Sequence, residues 1–120
     1  MEYRLVIEEH PDYLHAKAQG ERTPENARQA LQDAYAACVA KGQRNLLFEL
    51  DLEGAQLGML RIYDVIAERS VEGAKLRKIA YVDALPGKES KFAETVATNR
   101  GVNVRLFPEV AAAKRWLTQA

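Results

Sequence analysis

The feature that most constrains the fold is a short apolar run in the middle of the chain, followed at once by a polar turn and a helical pattern. The run covers residues 46–50 (LLFEL), and nearly continuous apolar residues over so short a length predict a strand buried on both faces. Segment 51–56 is polar and contains glycine, which predicts a turn. Apolar residues then recur at helical spacing from Leu57. We expect function at this edge, where a strand ends and a helix begins.

The flanking segments predict alternating strands and helices. Residues 3–9 and 13–20 alternate apolar with polar side chains around a His-Pro-Asp turn, which predicts an antiparallel hairpin. The remaining strands are separated by helical segments, which predicts parallel pairing. The predicted strands are 3–9, 13–20, 46–50, 77–83 and 102–107; the predicted helices are 24–41, 57 to about 74, 91–100 and one beginning at 108 or 109, with a loop over 85–90. The sequence therefore predicts one α/β domain over residues 1–120, with a mixed, mostly parallel five-stranded sheet and the element order β-β-α-β-α-β-α-β-α.

The first long helix has clear end signals and a stripe of small residues. Thr23 can cap the helix, Pro24 fits the first helical position, and Gly42 can end it. The predicted buried stripe is Ala27, Ala30, Leu31, Ala34 and Cys38. Such small side chains predict a helix that lies close to the sheet.

Composition excludes several classes of function. The chain has 17 basic and 17 acidic residues, and this balance argues against a surface built for nucleic acid. Its single cysteine, Cys38, cannot form an internal disulfide, which fits a reducing, cytoplasmic location. No apolar run approaches the roughly 20 residues that cross a bilayer, and the N-terminus lacks a signal-peptide pattern.

Two short segments carry a recognisable pattern. One is 44–58, a strand followed by the Asp-Leu-x-Gly turn at 51–54. The other is a strand ending in Phe107 followed by a helix ending in Trp116-Leu117. Together they resemble the STAS-like domains typified by anti-sigma-factor antagonists, and in particular the SpoIIAA-like subgroup, which is also compared with lipid-binding CRAL/TRIO domains. The resemblance implies a non-enzymatic module for protein–protein regulation.

One departure from that family affects the mechanism. The signalling antagonists carry a phosphorylated serine at the start of the helix after the central strand, whereas an ungapped alignment places Met59-Leu60-Arg61-Ile62 there. No Ser or Thr occurs between Pro24 and Arg69. We therefore expect no phosphoserine switch at this helix. Thr23 and Ser90 stand at predicted helix starts, where capping explains both hydroxyls and phosphorylation of Ser90 is the minor alternative.

The helix after the central strand has more apolar residues than one face can hold. Helical spacing predicts Leu60, Tyr63, Ala67, Val71 and Ala74 as its core face, extended by Met59 and Ile66. Ile62 and Val65 then fall on the opposite flank, among charged residues. Scattered exposed apolar residues are common, but with the preceding turn they could form a patch for a protein partner or a second copy of the chain. The predicted partner-binding residues are Glu53, Gly54, Gln56, Met59, Ile62 and Val65.

A second candidate site is the crevice at the carboxyl ends of the parallel strands, where open α/β sheets bind ligands. The predicted crevice residues are Asp51, Asp83, Gly87, Ser90 and Pro108. This site underlies the alternative function, binding of a lipid or another small apolar molecule.

The remaining reactive residues form no complete site in the sequence. His10 and His15 flank the first turn with only Asp12 as a nearby third ligand, so we interpret them as surface histidines and predict no metal and no cofactor. Cys38 falls on the alanine stripe, which predicts a buried, unreactive thiol. Glu49 interrupts the central apolar run and is the one candidate for acid–base chemistry with Asp51, yet no nucleophile accompanies it. We expect a binding module rather than an enzyme.

Overall fold

Within residues 3–83 and 87–119, which a computed structural model describes, five strands form one sheet in the order β1-β2-β3-β4-β5. The strands are β1 (Tyr3–Glu9), β2 (Leu14–Glu21), β3 (Asn45–Glu53), β4 (Lys78–Val82) and β5 (Val104–Phe107). The helices are α1 (Pro24–Lys41), α2 (Met59–Glu68), α3 (Ser70–Ala74), α4 (Lys88–Asn99) and α5 (Val110–Leu117). β1 and β2 pair antiparallel and the other pairs are parallel. The predicted fold class is confirmed.

The central strand β3 separates two cores, as its apolar run predicts. Leu46 and Phe48 face the larger core, beneath α1, α2 and α4. Leu47 faces the smaller core, beneath α5. The helix α5 alone covers this second face of the sheet, and it covers only part of it. The part of this face that β1 and β2 form therefore remains accessible. Val6, which alternation along β1 places there, is 41% exposed.

α1 agrees with its sequence signals at both ends. The Thr23 hydroxyl oxygen accepts a hydrogen bond from the Asn26 N–H at 3.0 Å. Gly42 follows the helix with φ of 67°, the left-handed conformation that glycine adopts without strain. All five residues of the predicted stripe are buried: Ala27, Ala30, Leu31, Ala34 and Cys38.

The prediction for the helix after β3 is wrong in both its continuity and its buried face. The helix breaks at Arg69, where α2 ends and α3 begins. Leu60 is 75% exposed and Tyr63 is 42% exposed, whereas Ile62 and Val65 are buried. The predicted core stripe ran across the break into α3, where the angular relation between residues no longer follows one helix axis. In α3 itself, Val71 is 70% exposed.

Several element boundaries also differ from the sequence analysis. β3 continues through segment 51–53, predicted as a turn, because these residues pair with β2, and the Arg22 N–H donates to the Glu53 carbonyl at 2.7 Å. α4 begins at Lys88, inside the predicted loop. Leu85 and Pro86 of that loop lie outside the described residues. No helix of the described ranges is long and apolar enough to span a membrane.

Candidate functional site

Two adjoining cavities lie between the sheet and the helices α1, α2 and α4. The outer cavity has a volume of about 140 Å³ and the inner cavity about 80 Å³. The two cavities share six of their lining residues: Ala27, Leu50, Val65, Ile66, Tyr81 and Ala93. The outer cavity reaches the surface beside Gln56 and Gly87, which are both exposed.

The cavities form where small residues of two helices face larger residues of a third. Ala27 of α1 and Ala93 of α4 are both buried and project little toward the sheet. On α2, Ile62 and Val65 form the roof of the outer cavity. The inner cavity continues among apolar side chains such as Phe48, which predicts a site suited to a hydrocarbon or aromatic group.

Polar groups collect at the outer cavity. Asp83 follows β4, and the Ser90 hydroxyl in the first turn of α4 donates a hydrogen bond to its carboxylate. On the other side, the Arg22 guanidinium donates to the carbonyls of Leu52 and Gly54, both at 2.9 Å. The outer cavity therefore has an apolar roof and polar groups of both signs of charge along its walls.

A carboxylate from α4 holds the start of α2 in place. The Leu57 and Gly58 N–H groups donate to the two Glu89 oxygens at 3.1 and 2.6 Å. Gly58 has φ of 90°, which favours glycine, and it provides no side-chain cap of its own. Glu89 thus satisfies backbone donors at the positive end of α2. This contact fixes the roof of the outer cavity against α4.

Tyr81 brings a polar group to both cavities. Burial raises the pKa of its hydroxyl to about 12, and the negative charge of Asp83 contributes in the same direction. The hydroxyl therefore remains protonated at neutral pH, and it is hydrogen-bonded to the Ser90 side chain at the wall of the outer cavity.

The structure divides the predicted partner-binding residues into two groups. Glu53, Gly54, Gln56 and Met59 are exposed, as a contact surface requires. Ile62 and Val65 are 7% and 5% exposed, so the prediction that they lie on an exposed flank is wrong. Their side chains cover the cavities, and this leaves no apolar surface at those two positions for a partner.

The predicted crevice residues are divided as well. Asp83, Gly87 and Ser90 line the outer cavity. Asp51 instead borders an open groove with Glu21 and Glu53, and Pro108 lines neither cavity. Asp51 was misplaced because β3 continues past Leu50, and the side chains of a strand alternate between the two faces.

Sequence analysis missed Arg22, Tyr81 and Ala93 as residues of this site, and it missed the contact that Glu89 makes with the start of α2. Glu89 was placed in a loop, and its partners Leu57 and Gly58, just before α2, are more than 30 positions away. Tyr81 carried a usable signal, since it stands in a short strand next to Asp83. The other three depend on how the helices pack over the sheet, which no local pattern encodes.

Of the other reactive residues, Cys38 is buried and Glu49 is paired with a histidine. Burial raises the pKa of the Cys38 thiol to about 11, which fits an unreactive core residue. Oε1 of Glu49 lies 2.9 Å from Nε2 of His15, so a second titratable group is within hydrogen-bond reach of Glu49. None of Cys38, Glu49 and His15 lines the outer or the inner cavity.

The arrangement of strands and helices is shared with a protein of known structure. An uncharacterised protein of the DUF3478 family from Shewanella loihica PV-4, whose crystal structure shows a SpoIIAA-like fold, is similar to this chain with a TM-score of 0.59 and 23% sequence identity. The similarity covers 96% of this chain and 93% of that one. No family model and no curated protein matches this chain. The chain thus has the SpoIIAA-like, or STAS-like, fold, as the sequence resemblance implied.

Proposed function

We propose that this protein is a STAS-type module that binds a small amphiphilic molecule, with the apolar part of the ligand in the outer and inner cavities. The observation that carries this proposal is the pair of adjoining cavities beneath α2, of which the outer one lies at the carboxyl ends of parallel strands. Open α/β sheets bind ligands at this edge. The alternative from the sequence, a site for an apolar ligand, is therefore preferred to the protein-contact patch centred on Ile62 and Val65.

The size and lining of the cavities indicate the class of ligand. An apolar cavity of roughly 150 Å³ holds one benzene molecule, so the outer cavity of about 140 Å³ suits a single ring or a short chain. The inner cavity adds space for a small apolar extension. Ser90, Gln56 and Tyr81 offer hydrogen-bonding groups to a polar head group. A long membrane lipid would exceed this space, so the proposed ligand is a small aromatic or short-chain amphiphile.

The proposal is one of binding without catalysis. Acid–base chemistry would be best supplied by His15 and Glu49, which are in contact. Alternation along β2 and β3 directs both side chains to the face of the sheet opposite the cavities, so a ligand in the cavities would not touch them. The buried Cys38 thiol supports a reducing, cytoplasmic location as part of the same proposal.

The experiment compares two leucine substitutions. Indole and hexanoate are titrated into the ¹⁵N-labelled protein, and we expect saturable amide shifts around Val65 and Ala93. Ala93→Leu places a larger side chain in both cavities and should weaken binding by at least about tenfold, or about 1.4 kcal/mol. Ala111→Leu makes the same exchange at an exposed position of α5 and should leave binding unchanged.

Two outcomes would contradict the proposal. One is the absence of saturable shifts with either probe. The other is equal affinity of Ala93→Leu and the unmodified protein. Native mass spectrometry of the freshly purified chain adds a direct observation, since a small molecule that remains bound would be detected as added mass.

A second candidate function, protein binding, is favoured by the exposed apolar side chains of α2. Met59, Leu60 and Tyr63 are 43%, 75% and 42% exposed, and the neighbouring turn at 53–56 is exposed as well. These residues could contact a regulatory partner or a second copy of the chain. Leu60→Asp should then abolish self-association in a light-scattering concentration series, whereas Val39→Asp, at an equally exposed position of α1, should not. A monomer at every concentration would count against the homodimer.

A further inference from the structure

A second cluster of chemically versatile side chains lies on the accessible part of the sheet, away from the cavities. Glu8 of β1 is the direct antiparallel partner of His15 of β2. Paired residues of neighbouring strands project to the same face, so the two side chains stand side by side. His10, just after β1, reaches the same place, and its Nε2 lies 3.2 Å from Oε1 of Glu8.

These three residues converge with the geometry of a metal site. One ligand atom from each of Glu8, His10 and His15 lies within 4.8 Å of the other two. Metal–ligand bonds of about 2.0–2.2 Å in a tetrahedral site place ligand atoms roughly 3.4 Å apart. The contact between Glu8 and His10 already has this spacing. Small rotations of the exposed Glu8 side chain would bring the remaining atoms together.

The two histidines are held in position by other contacts. The His10 ring stacks on the buried Tyr13 ring, with centroids 4.5 Å apart and planes inclined by 18°. The backbone N–H of His10 also donates to the backbone carbonyl of Tyr13 at 3.0 Å. Ordered imidazole rings lower the entropic cost of assembling a metal site.

His15 has the carboxylate partner that metal-binding histidines usually have. Its Nε2 lies 2.9 Å from Oε1 of Glu49, and Lys17 Nζ lies 3.8 Å from the other oxygen of that carboxylate. When Nε2 of His15 donates to the Glu49 carboxylate, Nδ1 carries the lone pair and is the nitrogen that would bind a metal. The side chains of His15 and Glu49 are 15% and 21% exposed, so this contact is partly shielded from water.

We propose that Glu8, His10 and His15 bind a divalent transition-metal ion of the zinc class, with Glu49 orienting His15. Two imidazoles and one carboxylate favour Zn²⁺ over Mg²⁺ or Ca²⁺, which prefer oxygen ligands alone. Three protein ligands leave a coordination position for water or another small ligand. Sequence analysis considered Asp12 as the third ligand and predicted no metal, but the strand register supplies Glu8 instead. The site is independent of the proposed amphiphile, because it lies on the opposite face of the sheet.

The test is a titration of the full chain with ZnSO₄ by isothermal calorimetry. We expect one ion per chain and little heat with MgSO₄. Glu8→Gln and His15→Gln should each abolish measurable binding, and Glu49→Gln should weaken it by about 10–100-fold. The matched control is Glu9→Gln. Glu9 lies next to Glu8 but contacts Lys41 at 3.4 Å, and its exchange should leave zinc affinity unchanged.

Cobalt provides a second readout that reports ligand geometry. Co²⁺ bound by the chain should show the intense visible absorption of a four-coordinate ion, and Glu8→Gln should remove it. Circular dichroism of each variant verifies that the fold is intact. The proposal is overturned if Zn²⁺ binds with no defined stoichiometry, or if Glu8→Gln and His15→Gln bind it as tightly as Glu9→Gln does.

Discussion

Alanine substitutions at Ile62 and Leu60 test which face of α2 is buried, because each changes the free energy of unfolding according to the burial of the side chain removed. The residues are two positions apart on one helix, yet Ile62 is 7% exposed and Leu60 is 75% exposed. Burying an aliphatic side chain of this size contributes about 1.5–3 kcal/mol, and Ile→Ala exchanges in cores cost about 2–5 kcal/mol. Because Ile62 borders the outer cavity and lacks contacts on that side, we expect Ile62→Ala to cost about 2–3 kcal/mol, at the lower end of that range. Leu60→Ala should change stability by no more than about 0.5 kcal/mol.

Urea unfolding, followed by far-ultraviolet circular dichroism and by the fluorescence of the single tryptophan Trp116, measures both changes. A larger loss for Leu60→Ala than for Ile62→Ala would refute the orientation of α2. Ile62→Asp extends the test, since a carboxylate there must be buried without a partner. It should prevent stable folding, whereas Leu60→Asp should fold normally.

The remaining predictions concern one glycine, one carboxylate and one thiol. Gly73→Ala should destabilise the protein by about 1–3 kcal/mol despite the better helix propensity of alanine, because a Cβ atom would lie 2.6 Å from the Tyr35 hydroxyl oxygen; a gain in melting temperature would contradict this. Glu89→Ala removes the acceptor at the start of α2 and should cost about 1–2 kcal/mol in urea unfolding, while the exposed Glu53→Gln serves as a control with little change expected. Cys38 should react with a thiol reagent at pH 8 only after denaturation, because burial raises its pKa to about 11; rapid labelling of the native protein would disprove its burial.

Local signals were sufficient for most of the fold. Thr23 and Gly42 define α1 because capping and left-handed backbone conformations depend on single residues and their immediate neighbours. The hairpin and the apolar run of β3 depend on patterns of a few residues, and both are present as predicted. The parallel pairing then follows from helices too long to be hairpin loops.

The buried face of α2 could not be obtained in the same way. A helical projection is valid only along an unbroken axis, and the pattern Leu60, Tyr63, Ala67, Val71 was continued through Arg69, where α2 ends. The i, i+3, i+4 set of Ile62, Val65 and Ile66 was available within α2 alone. Choosing between the two stripes required knowledge of where the helix stops.

The sites were less predictable than the fold because they depend on contacts between distant segments. The contact between Glu89 and the Gly58 N–H spans 31 positions. Glu8 meets His15 only because the hairpin has this register and no other; a shift by one residue would turn Glu8 to the opposite face. A sequence pattern predicts that a strand exists more readily than it predicts which side chains of two strands meet.

The orientation of α2 assigns the two functions proposed for this helix to different side chains: Ile62 and Val65 face the cavities, and Leu60 and Tyr63 are exposed to the proposed protein partner. Had Ile62 and Val65 been exposed, they would have been free to contact a partner, and no apolar roof would cover the cavities. In the structure the same two side chains face inward, so the proposed ligand binding would depend on residues that also stabilise the fold. Indole that occupies the outer cavity should therefore restore part of the stability lost in Ile62→Ala, because a ligand that binds only the native state stabilises it. Leu60→Ala leaves the cavities at their original size, so indole should stabilise it less than Ile62→Ala, in which the outer cavity is enlarged. An equal effect of indole on both variants would show that the added stabilisation does not come from the enlarged cavity.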